Sequence, residues 1–212
     1  AEARGVRIVL RWGSGCPATD VQVRSPRVRG HRERCERFRA ETGRVIAGED
    51  VDAVVIAQAN VYPSGKVWQL LDDRGHAVDE DDATAMWADA LETGVGTLRA
   101  GGLPVGVVLD NPFLPTDPAL CIDRHGSTDR CTPTREDALE NTEDATAAEK
   151  AAIGRLGAVP VLSPTDVICN ERECHLEYDG DFVFVDSNHL SDSFTHDQMP
   201  AVEDFLGRLV KG

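Results

Sequence analysis

The chain has 212 residues, room for one sizeable domain, and 41% of them are hydrophobic, enough to build a core. No apolar run approaches the roughly 20 residues that a membrane-spanning helix needs. Formal net charge is −15, placed unevenly: residues 1–40 carry ten Arg against four acids (net +6), leaving −21 on the rest, and such an acidic body argues against a nucleic-acid partner.

Val6–Leu10 is a short β-branched run that reads as a buried strand. Gly13-Ser14-Gly15-Cys16-Pro17 follows as a turn-rich loop. Arg29–Thr42 has helical spacing. Its Arg-rich face, Arg24–Arg39, reads as solvated and paired with Glu, the alternative being a face turned to an anionic surface. Val51–Ala57 is a second buried strand, with Gln58-Ala59-Asn60 at its C-terminal edge. Asp82–Ala100 is an amphipathic helix stopped by Gly101-Gly102. Val105–Leu109 is a third strand, ending in Asp110-Asn111-Pro112. Residues 111–131 form a Pro-rich loop. Thr132-Pro133 suits the start of a long acidic helix running to Leu156. Val159–Leu162 and Phe182–Val185 are further short strands, and Met199–Val210 is a terminal helix. Strands alternating with helices imply a mainly parallel sheet covered on both faces, an α/β/α sandwich forming a single domain over 1–212. Sites in such sheets lie beyond the C-terminal strand ends, which places Gly13–Gly15, Asn60, Asp110 and residues 186–189 on one rim.

The six cysteines fall two by two along the chain, favouring Cys16–Cys35, Cys121–Cys131 and Cys169–Cys174. Disulfides imply an oxidising, extracytoplasmic compartment. No pair has the CxxC spacing of a zinc site, so no metal and no other cofactor is expected.

Asp186 and His189 stand three residues apart after a short strand. A carboxylate there can orient one imidazole nitrogen and leave the other as a general base. By itself DxxH is a weak signal, more often a surface Asp beside an unrelated His.

The surrounding residues are more specific. Asp186-Ser187-Asn188-His189-Leu190-Ser191 resembles the last block of the SGNH (GDSL-like) hydrolase superfamily. The whole chain resembles, more narrowly, the extracytoplasmic SGNH domain fused to acyltransferase-3 membrane domains. The resemblance also rests on Ser14-Gly15-Cys16-Pro17-Ala18-Thr19-Asp20, on Cys121-Ile122-Asp123-Arg124-His125 with Cys131, and on Val161–Cys169 leading to Cys174. It implies an SGNH/flavodoxin-like fold, with Asp186 and His189 as two members of a Ser-His-Asp triad. Asn60 falls at the Asn of the GxN block, whose Gly is here Gln58, and the resemblance implies an oxyanion donor there. The backbone donor of the second block falls within Gly13–Gly15, with Gly15 as the candidate; a plain turn is the competing reading.

The nucleophile's GDS block is not in this sequence. Matching Val6–Leu10 to the family's second strand puts that block upstream of Ala1, so the domain is expected to be truncated and, alone, inactive. Ser14 lacks a strand–Ser–helix setting, and Ser191 reads as a local cap. The resemblance implies O-acylation (O-acetylation) of a cell-surface glycan hydroxyl, with the membrane acyltransferase-3 domain of the same polypeptide as partner. A secreted carbohydrate esterase or deacetylase and a catalytically inactive glycan-binding domain are the alternatives.

Overall fold

A computed structural model describes residues 7–210. Its centre is a parallel sheet of β2 (Val54–Ala57), β4 (Val105–Val108) and β5 (Val161–Leu162), in the order β2-β4-β5. Val54 pairs with Val105 and Val107 with Val161. The sequences VVIA and VGVV suit the pleat because β-branched side chains pack well on it. Alternation along β4 sends residues to two faces. Val105, Val107 and Leu109 pack with Leu91 and Val95 of α2 (Glu80–Ala100) and Ile153 of α5 (Glu143–Arg155). Gly106 faces the other way, onto Phe205 and Leu209 of α8 (Met199–Leu209). A Cβ at Gly106 would stand 2.6 Å from the Phe205 ring, so glycine lets this helix seat without displacing that ring. Helices on both faces make the expected three-layer sandwich.

Two smaller cores flank the sheet. One joins α1 (His31–Gly48), α2 and an antiparallel pair, β1 (Gln22–Arg24) with β3 (Gln69–Leu71), around Val23, Leu70, Tyr62 and Trp87. The other surrounds the Cys169–Cys174 bridge with Ile168, Leu176, Phe184 and Phe194. The hairpin of β6 (Glu177–Tyr178) and β7 (Asp181–Phe182) turns on Asp179-Gly180, with φ of 49° and 91°, the positive pair that a tight hairpin turn demands. Short helices α3 (Pro118–His125), α4 (Arg135–Leu139), α6 (Thr165–Ile168) and α7 (Asp192–Asp197) complete the chain. The three disulfides join the expected partners, Cys16–Cys35, Cys121–Cys131 and Cys169–Cys174.

Four expectations need correction. Val6–Leu10 forms no strand over its described part: residues 7–10 are irregular, with Ile8 and Leu10 exposed, and Val6 lies outside the described residues. Arg7 and Arg11 instead bridge to Glu49 and Glu41 beside α1, and a β-run without a pairing strand has nothing to satisfy its backbone. The second strand is not fully buried: it is an edge, with Val55 and Ala57 exposed. The long helix from Thr132 to Leu156 is two helices. Thr134, not Thr132, caps the first by accepting from Asp137 N at 3.1 Å, and the chain breaks before α5. Phe182–Val185 is no strand of the parallel sheet; Phe182 ends the hairpin, and Phe184 bridges Leu190.

Candidate active site

The loop after β7 folds back on itself. Val185 N donates to His189 O at 2.9 Å, and Phe184 bridges Leu190. Inside that closure Asp186 Oδ1 accepts from the backbone N–H groups of Asn188 (2.9 Å) and His189 (2.8 Å). Its other oxygen, Oδ2, lies 2.7 Å from His189 Nδ1. The Asn188 amide first, then the His189 side chain and backbone, hold the Asp186 carboxyl down at about 2. An ionised Asp186 orients Nδ1–H toward itself, which leaves the lone pair on Nε2. The His189 side chain is 71% exposed, so Nε2 is open to an incoming group. Ser191 closes the segment: its Oγ accepts from Phe194 N at 3.2 Å and caps α7, as read from the sequence.

This loop is bolted to the rim of the sheet. Leu114 N donates to Ser187 O at 2.7 Å, and Asn111 Nδ2 to Asn188 O at 2.8 Å. Asn111 N in turn donates to Asp110 Oδ1, and Asn60 N to Asp110 Oδ2, both at 3.0 Å. Thr165, beyond β5, donates its hydroxyl to Asp110 O. Asp110 is therefore the knot that ties the ends of β2, β4 and β5 to the Asp–His loop. Burial raises its carboxyl to about 6 against the pull of those two amides.

Asn60 is fully buried, with Nδ2 donating to Thr146 Oγ1 of α5 at 2.6 Å. An amide nitrogen carries two hydrogens, so this bond leaves a second for another acceptor. Beside it lies Glu149, a residue the sequence reading missed. Its Oε1 accepts from Trp87 Nε1 at 2.7 Å, and burial raises the carboxyl to about 7. The signal was present: Ala145, Glu149, Ala152 and Ile153 share one buried helical stripe, and a Glu on an apolar stripe is anomalous.

Gly15 sits at φ 68°, and a Cβ there would lie 3.0 Å from both His31 Nε2 and Trp68 Nε1. Its loop is stapled by Cys16–Cys35 and tied to the rim through Gln58, whose Oε1 accepts from Ala18 N at 3.1 Å and Thr19 N at 3.3 Å. Cys16, His31 and Cys35 cluster closely, but the two sulfurs are bonded to each other and so are not available as thiolate ligands.

A parallel α/β/α core with an Asp–His pair beyond its strand ends is a layout on which Ser-His-Asp acyl chemistry is built. The sequence matches the family described as SGNH domain (fused to AT3 domains) over residues 1–196, and the chain belongs to that family. It is similar in fold to the solved periplasmic domain of the lipopolysaccharide acetyltransferase of Salmonella ser. Paratyphi A. The TM-score is 0.60 at 14% identity, over 90% of this chain and 69% of that one. No curated protein matches the sequence. No described helix is long and apolar enough to cross a membrane.

Proposed function

We propose that the chain is the extracytoplasmic, membrane-tethered part of an O-acyltransferase. In this reading it passes an acyl group, acetyl in the simplest case, from an acyltransferase-3 domain of the same polypeptide to a hydroxyl of a cell-surface glycan. The observation that carries it is the Asp186–His189 contact at 2.7 Å with Nε2 open to solvent. His189 takes the proton of a serine hydroxyl as that oxygen bonds to the acyl carbon, and returns it to the leaving group. A second round, with the glycan hydroxyl as attacking group, regenerates the serine. Asp186 stays ionised throughout and stabilises the imidazolium. Asn60, through its second amide hydrogen, and the Gly15 loop supply the oxyanion contacts, worth about 3–4 kcal/mol for a well-aimed amide.

The serine belongs, in this proposal, to a segment that adds a strand to the free edge of β2. Val55 and Ala57 on that edge are exposed, as are Ile8, Leu10 and Trp12 in the apolar segment before α1. An uncovered apolar edge of this kind is a template for strand pairing.

The test is acyl transfer by the full-length, membrane-embedded protein, read as acetyl-ester content of the surface glycan by mass spectrometry. His189→Ala is expected to lower it at least ~10³-fold. Undiminished glycan acylation in that variant would overturn the proposal. Acetate release to water, indifferent to added glycan, would replace the transferase by an esterase.

A further inference from the structure

The general base and the proposed oxyanion donor come from distant parts of the chain, and acyl transfer needs them at a fixed separation. Asp110, half-buried just beyond β4, stands between them. Its Oδ2 accepts from the backbone N–H of Asn60 and its Oδ1 from the backbone N–H of Asn111, both at 3.0 Å. Asn111 points its side chain the other way: Nδ2 donates to Asn188 O at 2.8 Å and to Pro112 O at 3.1 Å. Asn188 N donates in turn to Asp186 Oδ1 at 2.9 Å, on the carboxylate that orients His189. Thr165 Oγ1, from α6, holds Asp110 itself by donating to its backbone oxygen at 3.2 Å. An unbroken run of hydrogen bonds thus joins Asn60 to Asp186, and one carboxylate makes the two that meet in its middle. The run uses the backbone N–H of Asn60, so the side-chain amide keeps one hydrogen for Thr146 and one for the oxyanion.

We propose that Asp110 is a positioning residue for acyl transfer: its carboxylate, by gripping Asn60 with one oxygen and Asn111 with the other, sets the separation between the oxyanion donor and the Asp186–His189 pair. The consequence for catalysis rests on the acyl-transfer reading; the geometry does not. Asp110 touches no reacting atom. Both oxygens of a carboxylate accept, whereas protonation turns one into a hydroxyl, and one of the two N–H groups then loses its acceptor. The ionised form is therefore the one that holds the site together. The groups that face it are Asn60 beyond β2, Asn111 beside it, Thr165 from α6, Tyr62 and, from α5, Glu149. Tyr62 is raised by burial and by Asp110 and stays neutral. Glu149, raised to about 7, is still mostly protonated where Asp110, raised by burial to about 6, loses its proton. Below neutral pH, transfer is thus limited by two protons, on Asp110 and on His189, in place of one.

Two measurements test this. In the 212-residue chain, the 15N–1H signals of the Asn60 and Asn111 backbone amides are followed by NMR from about pH 4 to 8. They are expected to move together with one midpoint near pH 6, in His189→Ala and Glu149→Gln as in the native chain, and to stay still in Asp110→Asn. In the full-length protein, p-nitrophenyl acetate serves as acyl donor over the same pH range. Asp110→Asn is expected to lower kcat/KM about 10²-fold, the cost of a misplacement of ~1 Å, and to reduce the slope of log kcat/KM on the acid side from about two to about one. Loss of folded protein alone would scale the rate and keep the slope. Asn111→Ala, which leaves both backbone bonds to Asp110 and cuts only the link to Asn188, is expected to lower kcat/KM with the amide titration intact. Amide signals that do not move together overturn the proposal, as does an acid slope of about one in the native protein or a native rate in Asp110→Asn. If the native full-length protein leaves the ester intact while the amides titrate as expected, the acyl-transfer reading falls and the link through Asp110 stands.

Discussion

Two carboxylates of this domain meet opposite fates. Asp186 lies on the surface, receives two backbone N–H bonds and an imidazole, and is held at about 2. Glu149 lies under the strand ends, receives the Trp87 indole N–H on one oxygen, and is raised to about 7. Asp186 is met by three N–H groups and Glu149 by that one, and solvent widens the difference: burial penalises charge on Glu149 more than its donor repays, while at Asp186 water and donors act together. The first is therefore a permanent anion that fixes an imidazole, the second a group whose state changes where the protein works.

The largest effect expected from breaking this contrast is on chemistry. Asp186→Asn keeps the shape of the loop but removes the charge and permits the wrong imidazole tautomer. It should lower acyl transfer by the full-length protein roughly 10²–10⁴-fold, with the glycan KM little changed. Steady-state rates against glycan concentration check both numbers.

Next comes stability against pH. The folded-state carboxyl of Glu149 is raised above its ordinary value, so its contribution is fully present below about 4.5 and is lost as pH climbs through about 7. Asp110, raised to about 6, acts with the same sign over a lower window. Chemical denaturation should therefore find the chain less stable at pH 8 than at pH 5, by about 3 kcal/mol from Glu149 alone. Glu149→Gln should flatten the upper part of that slope. Asp186, held low, has the opposite sign, its contribution being lost only as pH falls from about 4 toward 2.

Removing the Cys16–Cys35 staple by a double Cys→Ala change should cost about 3 kcal/mol, for the loop closes over a sequence separation of 19. The same change should raise hydrogen exchange at Ala18 and Thr19, since the staple beside their Gln58 acceptor would be gone. The smallest effect is expected at Gly106→Ala, where a methyl meets the Phe205 ring. It should cost about 1–3 kcal/mol and leave the Glu149 titration in place, because α8 covers the opposite face of the sheet.

How much of this was legible in the sequence depended on whether a residue's role is local. The three cysteine pairs lie close along the chain, and their clustering announced them; the Asp186–His189 spacing was a weak signal until the residues around it gave the block its family resemblance. Strands β2 and β4 announced themselves by β-branched runs that do find partners. Val6–Leu10 shows the limit of that signal: the same composition without a neighbouring strand gave an exposed irregular segment over its described residues. The helix start was misplaced because Thr134, which also bridges Glu173 across the chain, caps α4 in place of Thr132, and the break before α5 falls where the buried Thr142 turns its hydroxyl onto Leu139 O. Glu149 was hidden for a related reason. Its donor, Trp87, lies 62 residues away along the chain, and only the fold brings it to α5.

The seat of α8 on Gly106 bears on the order in which the chain can mature. The notch in β4 is at residue 106, but the ring that fills it is at residue 205. A nascent chain released from its N-terminus onward has one face of its central strand wet until Phe205, far downstream, has emerged. Its sheet is thus completed late, by a contact spanning about a hundred residues, and such long-range closure slows folding.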